Sequence, residues 1–192
     1  TMDKKKRCKW CNLKNELYIK YHDEEWCKPN FDDKYLFEML ILESFQAGLS
    51  WECVLNKRDS FITAFDNFDI DKICEYDNEK IKELLLNDKI IRNKLKINAS
   101  INNAKIFKNI QKEYGSFYNY LELFTKGKII YELDKTTSNL SDNISKDLQK
   151  RGMKFVGSKI IYSYLQAIGI IYSHDKECFL YKQGECKEIF AT

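Results

Sequence analysis

Hydrophobic residues recur at intervals of three and four along most of the chain, and this spacing predicts amphipathic helices. The ranges that carry the pattern are about 33–47, 50–58, 59–66, 78–86, 91–113, 116–124 and 144–151. Asp32 or Asp33 is placed to cap the first of these helices, and Gly48 follows its last turn. The polar stretch 136–143 predicts a loop, and no strand pattern of comparable length is present. The chain is therefore predicted to be all-α.

A single carboxylate interrupts the apolar face of the first predicted helix. Leu36, Met39, Leu40 and Ala47 form the apolar stripe, and Glu43 falls on the same side. Carboxylates are rarely buried unless a partner holds them. The pattern favours a structural glutamate paired with a base or a helix N-terminus, and it leaves open a carboxylate that serves a ligand.

A helix, a short hairpin and a second helix are predicted over 148–169. A helix that starts at Gly157 and Ser158 presents free backbone N–H groups and the positive end of its dipole, which suits a phosphate group. Gly152 lies at the other end of the hairpin. Basic residues cluster around it: Lys146, Lys150, Arg151, Lys154 and Lys159. The combination favours a DNA contact over a solvated helix face, with a plain helical hairpin as the remaining alternative.

The length and composition of the chain predict a single domain. The chain has 192 residues, 14% of them aromatic, with seven glycines and one proline. This argues for a sizeable core and against disorder. The apolar runs are too short to span a membrane, and no signal peptide is recognisable, so we expect a cytoplasmic protein. The net charge of +3 permits an anionic partner without requiring one.

Cysteine and histidine residues offer a second kind of chemistry. Seven cysteines without a signal peptide suggest reduced thiols or metal ligands rather than disulfides. His174 and Cys178 are four residues apart and would share one face of a helical turn. With Cys8 and His22 they would complete a tetrahedral, structural zinc set. The spacing also allows Cys11 as a rival ligand, or a core histidine with small buried thiols.

Several longer motifs, taken together, resemble those of the DNA-3-methyladenine glycosylase I family, bacterial repair enzymes of the helix-hairpin-helix superfamily. The motifs, in chain order, are RCKW at 7–10, LYIKYHDEEW at 17–26, LFEMLILESFQAGLSW at 36–51, KRGMKFVG at 150–157, YSYLQAIG at 162–169 and HDKEC at 174–178. The resemblance thus covers nearly the whole chain. It implies a helix-hairpin-helix glycosylase-like bundle with a structural zinc that joins the N- and C-terminal segments.

The resemblance also implies an activity and a set of site residues. The activity is hydrolysis of the N-glycosidic bond of 3-methyladenine in alkylated double-stranded DNA, with Glu43 as the catalytic, base-contacting carboxylate. The implied base pocket consists of Trp10, Tyr18, Tyr21, Trp26, Gln46, Trp51 and Ser163. The implied DNA contacts are Leu49, Gly152, Lys154, Gly157 and Ser158. The implied zinc ligands are Cys8, His22, His174 and Cys178. We expect a monomeric, cytoplasmic bacterial protein with no membrane partner, built as one unit over 1–192 with a small zinc-tied lobe from about 1–30 and 170–192.

The chain departs from the family pattern at a few positions. Cys27 stands where glycine is usual, Ser44 and Phe45 replace a smaller and more polar pair, and Phe155 stands in the hairpin where the wider superfamily has glycine. Cys11 is outside the usual ligand set, and Cys27 and Cys186 are further thiols without an assigned role. Asp175 is interpreted as a solvated side chain, and no general base is assigned.

Two functions from different classes remain to be separated. The first is a monofunctional glycosylase, because no amine nucleophile is evident. The second is a zinc-stabilised helical module that binds damaged DNA or a free modified base without cleaving a bond. The buried Glu43 favours the enzyme, since a DNA-binding module has little use for a buried carboxylate.

Overall fold

A computed structural model describes residues 3–184 and 187–188, and these are predominantly helical. The α-helices are α1 (Glu16–Glu24), α2 (Asp33–Phe45), α3 (Trp51–Asn56), α4 (Arg58–Ala64), α5 (Ile70–Cys74), α6 (Asn78–Leu86), α7 (Lys94–Tyr114), α8 (Phe117–Thr125), α9 (Asn139–Lys150) and α10 (Ser158–Ala167). The strands are β1 (Lys128–Tyr131), β2 (Ile171–Tyr172) and β3 (Lys187–Glu188). The predicted helical class is confirmed, with a small sheet added to it.

Helix α2 lies at the centre of the molecule. Every residue from Met39 to Phe45 is buried, and the helix packs against α3, α7, α8 and α10. The prediction of a one-sided apolar stripe is therefore wrong, because neighbours cover all faces of this helix. Helix α2 also ends at Phe45, earlier than predicted, and Gly48 adopts a left-handed φ of 77° in the turn that follows.

An aspartate at the start of α2 binds the N-terminus of a neighbouring helix rather than its own. Asp32 occupies the capping position but makes no side-chain cap bond. The Asp33 carboxylate instead accepts hydrogen bonds from the backbone N–H groups of Phe117 and Tyr118, at 2.8 and 3.2 Å. Asp33 thus satisfies free donors at the start of α8, and it stabilises the packing of one helix end against another.

The helical hairpin begins earlier than the sequence pattern predicts. Helix α9 starts at Asn139, within the predicted loop, because Ser138 and Ser141 form a reciprocal capping box. The 151–157 turn then leads into α10, which packs along α9 and α2. Helices α1 and α5 were not predicted at all. Helix α5 has only five residues, too few for a helical period to be recognised.

A three-stranded sheet joins the segment after α8 to the C-terminal part of the described chain. Strand β1 pairs in parallel with β2 (Ile130 opposite Ile171) and antiparallel with β3 (Lys128 opposite Glu188). The longest strand has four residues, so the sequence carries no usable alternation for it. No helix in the described ranges is long and apolar enough to cross a membrane.

Candidate active site and metal centre

A cavity of about 400 Å³ opens between the N-terminal segment, α2, α3 and α10. The structure brings together there all eight of the residues that the sequence assigned to base recognition. The lining comprises Trp10, Tyr18, Tyr21, Trp26, Glu43, Gln46, Trp51, Asp134, Ser163, Gln166, Ser173 and Asp175. A cavity that combines five aromatic residues with converging polar groups is typical of a small-molecule or base site.

Aromatic rings form two groups on the cavity wall. The Trp10 ring lies 5.1 Å from Tyr18 and 4.8 Å from Trp26, measured between centroids. The Tyr21 and Trp51 rings are 5.4 Å apart. Trp10 is 36% exposed, whereas the other four rings are buried. The exposed face of Trp10 therefore lies at the cavity mouth, where a planar guest could stack on entry.

Glu43 is the buried charge-bearing group of this cavity. Its side chain is 2% exposed, and its Oε2 atom has no hydrogen-bond partner. Burial raises the pKa of Glu43 to about 8, and a hydrogen bond with Ser163 opposes this shift. A cation that entered the cavity would favour the ionised carboxylate, because it would replace the lost solvation of the charge.

Three further polar atoms in the cavity wall also lack partners. These are the Gln46 Oε1, Trp51 Nε1 and Ser173 Oγ atoms. Buried polar atoms are usually hydrogen-bonded, so unpaired ones indicate a place reserved for a ligand or water. With Glu43 Oε2, the wall presents two acceptors, one N–H donor and one hydroxyl, and an aminated aromatic ring has the complementary groups.

A larger depression lies on the other side of Tyr21, and it is a weaker candidate. Its volume is about 750 Å³, but its half-buried charged groups already pair with one another. Arg58 lies 2.8 Å from Glu25 and 3.3 Å from Glu38, and Tyr35 donates to Glu25 at 2.8 Å. Because these groups are paired, we assign the functional site to the smaller cavity.

The structure also shows cavity residues that sequence reasoning missed. Asp134, Gln166, Ser173 and Asp175 contribute to the lining. Gln166 follows Ser163 by three positions in a helix, so helical spacing could have identified it. Asp134 comes from a loop far away in sequence, and no local pattern indicates its position. The interpretation of Asp175 as merely solvated is wrong, since its Oδ2 atom also accepts a hydrogen bond from the Lys9 amide at 2.9 Å.

The residues predicted to contact DNA lie on two exposed segments. Leu49, 42% exposed, projects from the 46–50 turn beside the cavity. Lys154 and Gly157 are exposed in the hairpin, and Gly152 has a φ of 101°. The Ser158 hydroxyl donates to Asp142 at 2.5 Å, so only the backbone N–H of Ser158 remains for a phosphate.

Arg151 differs from the other bases of the predicted cluster. Lys146, Lys150, Lys154 and Lys159 are exposed, but Arg151 is half-buried and paired. Its guanidinium lies 2.8 Å from Asp147 and 2.9 Å from Glu113. The expectation that Arg151 belongs to a free basic surface is therefore wrong, because these carboxylates hold it against α7 and α9.

The four predicted zinc ligands form one buried cluster. The donor atoms of Cys8, His22, His174 and Cys178 all lie within 4.8 Å of one another. His174 Nδ1 is 3.4 Å from each of the two sulfur atoms, and His22 Nε2 is 3.5 Å from the Cys178 sulfur. A tetrahedral zinc with ordinary bond lengths requires separations of about 3.3–3.8 Å. These three separations fall within that range, and two thiols with two imidazoles form a donor set that zinc takes.

Surrounding groups favour the ligand forms of these side chains. Burial lowers the pKa of His174 to about 4 and also lowers that of His22, which keeps both imidazoles neutral. The Asp23 carboxylate lies 2.8 Å from His22 Nδ1, and Arg7 lies 2.7 Å from the same carboxylate. Such a carboxylate orients a ligating imidazole toward the metal.

The other thiols lie outside this cluster. Cys11 and Cys27 are buried free thiols that are not among its four donors, and Cys186 is outside the described residues. Residues 174–178 form a turn closed by a Cys178 N–H to Asp175 carbonyl bond of 2.9 Å, not the predicted helical turn. Cys27 has a φ of 63°, which explains why glycine is usual there.

Comparisons with known proteins agree with this geometry. The family model described as methyladenine glycosylase matches residues 10–181. The chain is 40% identical over 182 residues to "DNA-3-methyladenine glycosylase 1" of Escherichia coli (strain K12), with 91% of this chain and 96% of that protein covered. A crystal structure of 3-methyladenine DNA glycosylase I superposes with a TM-score of 0.88 at 39% identity, covering 92% of this chain and all of that one.

A further solved structure concerns ligand recognition in a relative. It is described as the structural basis of 3-methyladenine recognition by 3-methyladenine DNA glycosylase I from Staphylococcus aureus. Its TM-score is 0.85 at 32% identity, covering 90% of this chain and 95% of that one. The similarity therefore extends over the whole fold, including the segments that line the cavity.

Proposed function

The chain belongs to the methyladenine glycosylase family, and from this we propose that it is a DNA repair N-glycosylase that hydrolyses the N-glycosidic bond of 3-methyladenine in alkylated double-stranded DNA. The observation that carries the proposal is the buried Glu43, which has an unpaired oxygen inside an aromatic cavity. The relatives are named for this same reaction.

The chemistry of the damaged base explains the composition of the cavity. Adenine methylated at N3 is cationic, and cleavage of its bond to the sugar releases a neutral purine, so the leaving group is already good. The enzyme must chiefly extract the base and recognise its charge. Electron-rich rings such as Trp51 and Tyr21 favour a cationic guest, and the Glu43 carboxylate accepts a hydrogen bond from its amino group.

Binding of the cation is coupled to the protonation of Glu43. With a pKa of about 8 in the free protein, Glu43 is largely neutral at neutral pH. A cationic base stabilises the charged form, so its entry releases the Glu43 proton. No lysine lines the cavity among the described residues, which supports a monofunctional enzyme without a covalent amine intermediate.

DNA is proposed to approach across the 46–50 turn and the hairpin. Leu49 enters the space left by the extracted nucleotide, where an apolar side chain replaces lost stacking. Gly152, Lys154, Gly157 and the Ser158 N–H contact the phosphate backbone through the start of α10. These assignments belong to a helix-hairpin-helix mode of binding, and 3-methyladenine is the released product.

A structural zinc on Cys8, His22, His174 and Cys178 is part of the proposal. With four protein ligands it has no open position for substrate, so its contribution is to stabilise the fold. It holds the segment before α1 against the segment after β2, which makes 1–192 one unit with a small tied lobe. The cysteines of the described residues are free thiols, which suits a reducing cytoplasm. The proposed oligomeric state is a monomer.

A base-release assay on methylated duplex DNA tests the proposal. We expect the unmutated chain to release 3-methyladenine, and Glu43→Gln to lower the rate by about ten- to a hundredfold. The expected loss corresponds to a charged hydrogen bond of about 1.5–3 kcal/mol. Glu75→Gln, an exposed carboxylate outside the cavity, serves as the matched control.

The same assay separates the enzyme from a binding module. Damaged DNA that is bound by the unmutated chain without any release of 3-methyladenine would contradict the enzymatic function. An unchanged rate for Glu43→Gln would retain the enzyme and reject the role of Glu43.

A further inference from the structure

Lys96 is a buried cation that the proposed mechanism does not use. It lies in the first turn of α7, and its side chain is 7% exposed. Its Nζ atom donates to the Phe45 carbonyl at 2.8 Å and to the Ala47 carbonyl at 2.5 Å. Burial lowers the pKa of Lys96, so the ammonium needs these two carbonyls to replace its hydration.

The two carbonyls belong to the segment that includes Gln46 on the cavity wall and the exposed Leu49. Helix α2 ends at Phe45, where carbonyl groups lack intrahelical partners and the dipole is negative. The 46–50 turn follows directly, with Gln46 on the cavity wall and Leu49 exposed. The Leu49 N–H donates to the Gln46 carbonyl at 2.7 Å, and this bond closes the turn. Lys96 therefore holds the base of this turn.

Helix α7 also holds the hairpin, through a neighbouring pair of contacts. Asn103 donates to the Lys154 carbonyl at 2.8 Å and accepts from the Lys154 N–H at 2.9 Å. Asn102 donates to the Gly152 carbonyl at 2.9 Å. Lys96 additionally lies 6.0 Å from the Phe155 ring centroid. One helix thus fixes both segments that the proposed function assigns to DNA.

We propose that Lys96 is a positioning residue that holds the 46–50 turn at a set distance from the hairpin. This distance allows Leu49 to enter the duplex when the hairpin binds the DNA backbone. This inference rests on the proposed function. The role concerns base extraction from duplex DNA and not the affinity of the cavity for a base, since Lys96 does not line the cavity.

Substitution of Lys96 by methionine tests this role, because methionine retains an unbranched stem and loses the cation. We expect Lys96→Met to lower single-turnover release of 3-methyladenine from duplex DNA by about ten- to a hundredfold, as a misplacement of about 1 Å does in other enzymes. The affinity for free 3-methyladenine should change less than about threefold. Lys105→Met, an exposed lysine of the same helix, is the matched control for the loss of charge.

A double-mutant cycle distinguishes positioning from simple destabilisation. If Lys96 acts through Leu49, then Lys96→Met should add less than about twofold to the defect of Leu49→Ala. Melting curves accompany each variant. If Lys96→Met does not fold, Lys96→Gln takes its place, since its amide can donate to one of the two carbonyls.

The outcomes are separable from those of the proposed function. Absence of base release by the unmutated chain would reject that function. With the unmutated chain active, three results would each overturn the positioning role: equal rates for Lys96→Met and Lys105→Met, a parallel loss of free-base affinity, or a full independent defect in the Leu49→Ala background.

Discussion

At the scale of the residue, Glu43 has opposite effects on stability and on recognition. Its carboxyl is buried with one oxygen unpaired, which disfavours the charged form in the free protein. The same solvation deficit strengthens its attraction to a cation in a site of low dielectric constant. The proposed function therefore assigns Glu43 to the ligand rather than to the stability of the fold.

The raised pKa of Glu43 predicts a specific pH dependence of stability. In the unfolded chain this carboxyl ionises near 4.5, and in the folded chain near 8. Between these values the folded protein holds a proton that the unfolded chain has lost. The stabilisation that this proton contributes is therefore fully present below pH 4.5 and is lost as the pH rises through 8. Over this range the contribution to the free energy of unfolding falls by up to about 1.4 kcal/mol per pH unit.

Urea unfolding of the unmutated chain and of Glu43→Gln over this range checks the prediction. The two proteins should have similar free energies of unfolding at about pH 4.5, and Glu43→Gln should be the more stable at about pH 8. Taking the difference between them removes the contribution of groups such as His174, whose lowered pKa acts in the opposite direction. A difference that stays constant with pH would contradict a raised pKa at Glu43.

At the scale of the element, the hairpin is held by backbone contacts and not by its exposed lysines. The Lys154 backbone bonds to Asn103 through both its N–H and its carbonyl, while the Lys154 side chain extends into solvent. The turn should therefore keep its shape when this side chain is shortened. This separation makes Lys154 a suitable probe of phosphate contact alone.

Lys154→Ala is expected to weaken DNA binding equally for all sequences. The loss of one phosphate contact lowers the slope of log affinity against log salt by about one unit or less. Titrations with two unrelated duplexes at several salt concentrations measure both quantities. Lys105→Ala is the control, because Lys105 is exposed on α7 two positions beyond Asn103 and points to another side of the helix. Identical affinity and slope for the Lys154 and Lys105 variants would reject the phosphate contact.

At the scale of the whole molecule, the candidate metal centre joins distant parts of the chain. Cys8 and His22 come from the N-terminal segment, and His174 and Cys178 follow β2. A metal held by all four groups would bind only the folded chain, so its binding energy would stabilise the fold. The Phe179 N–H also donates to the Lys6 carbonyl at 2.8 Å, which holds the second pair beside the first.

Cys178→Ser is expected to lower both the zinc content and the melting temperature. Cys11→Ser is the matched control, since Cys11 is an equally buried thiol outside the four-donor cluster, and it should retain one zinc per chain. Metal analysis and melting curves on the purified variants give the answer. One zinc per chain and an unchanged melting temperature in Cys178→Ser would show that this ligand assignment is wrong.

The sequence by itself determined the helical class, the course of the longer helices and the residues that the family motifs identify. Periodicity sufficed for α6, α7 and α8, because long helices repeat their pattern several times. It failed for α5 and for the sheet, since segments of two to five residues are too short to show a period. It also missed the start of α9, where a capping box outweighs weak helix propensity.

Only the tertiary structure decided which groups meet. The donor atoms of four proposed ligands, two from each end of the chain, lie within 4.8 Å of one another. Asp134 joins the cavity wall, and Asp33 binds the N-terminus of a helix other than its own. Arg151 pairs with Asp147 and Glu113 and therefore does not contribute a free charge to the basic surface. Sequence patterns report which face of an element is apolar. They carry no information on the partner that covers it, because that depends on how distant segments pack.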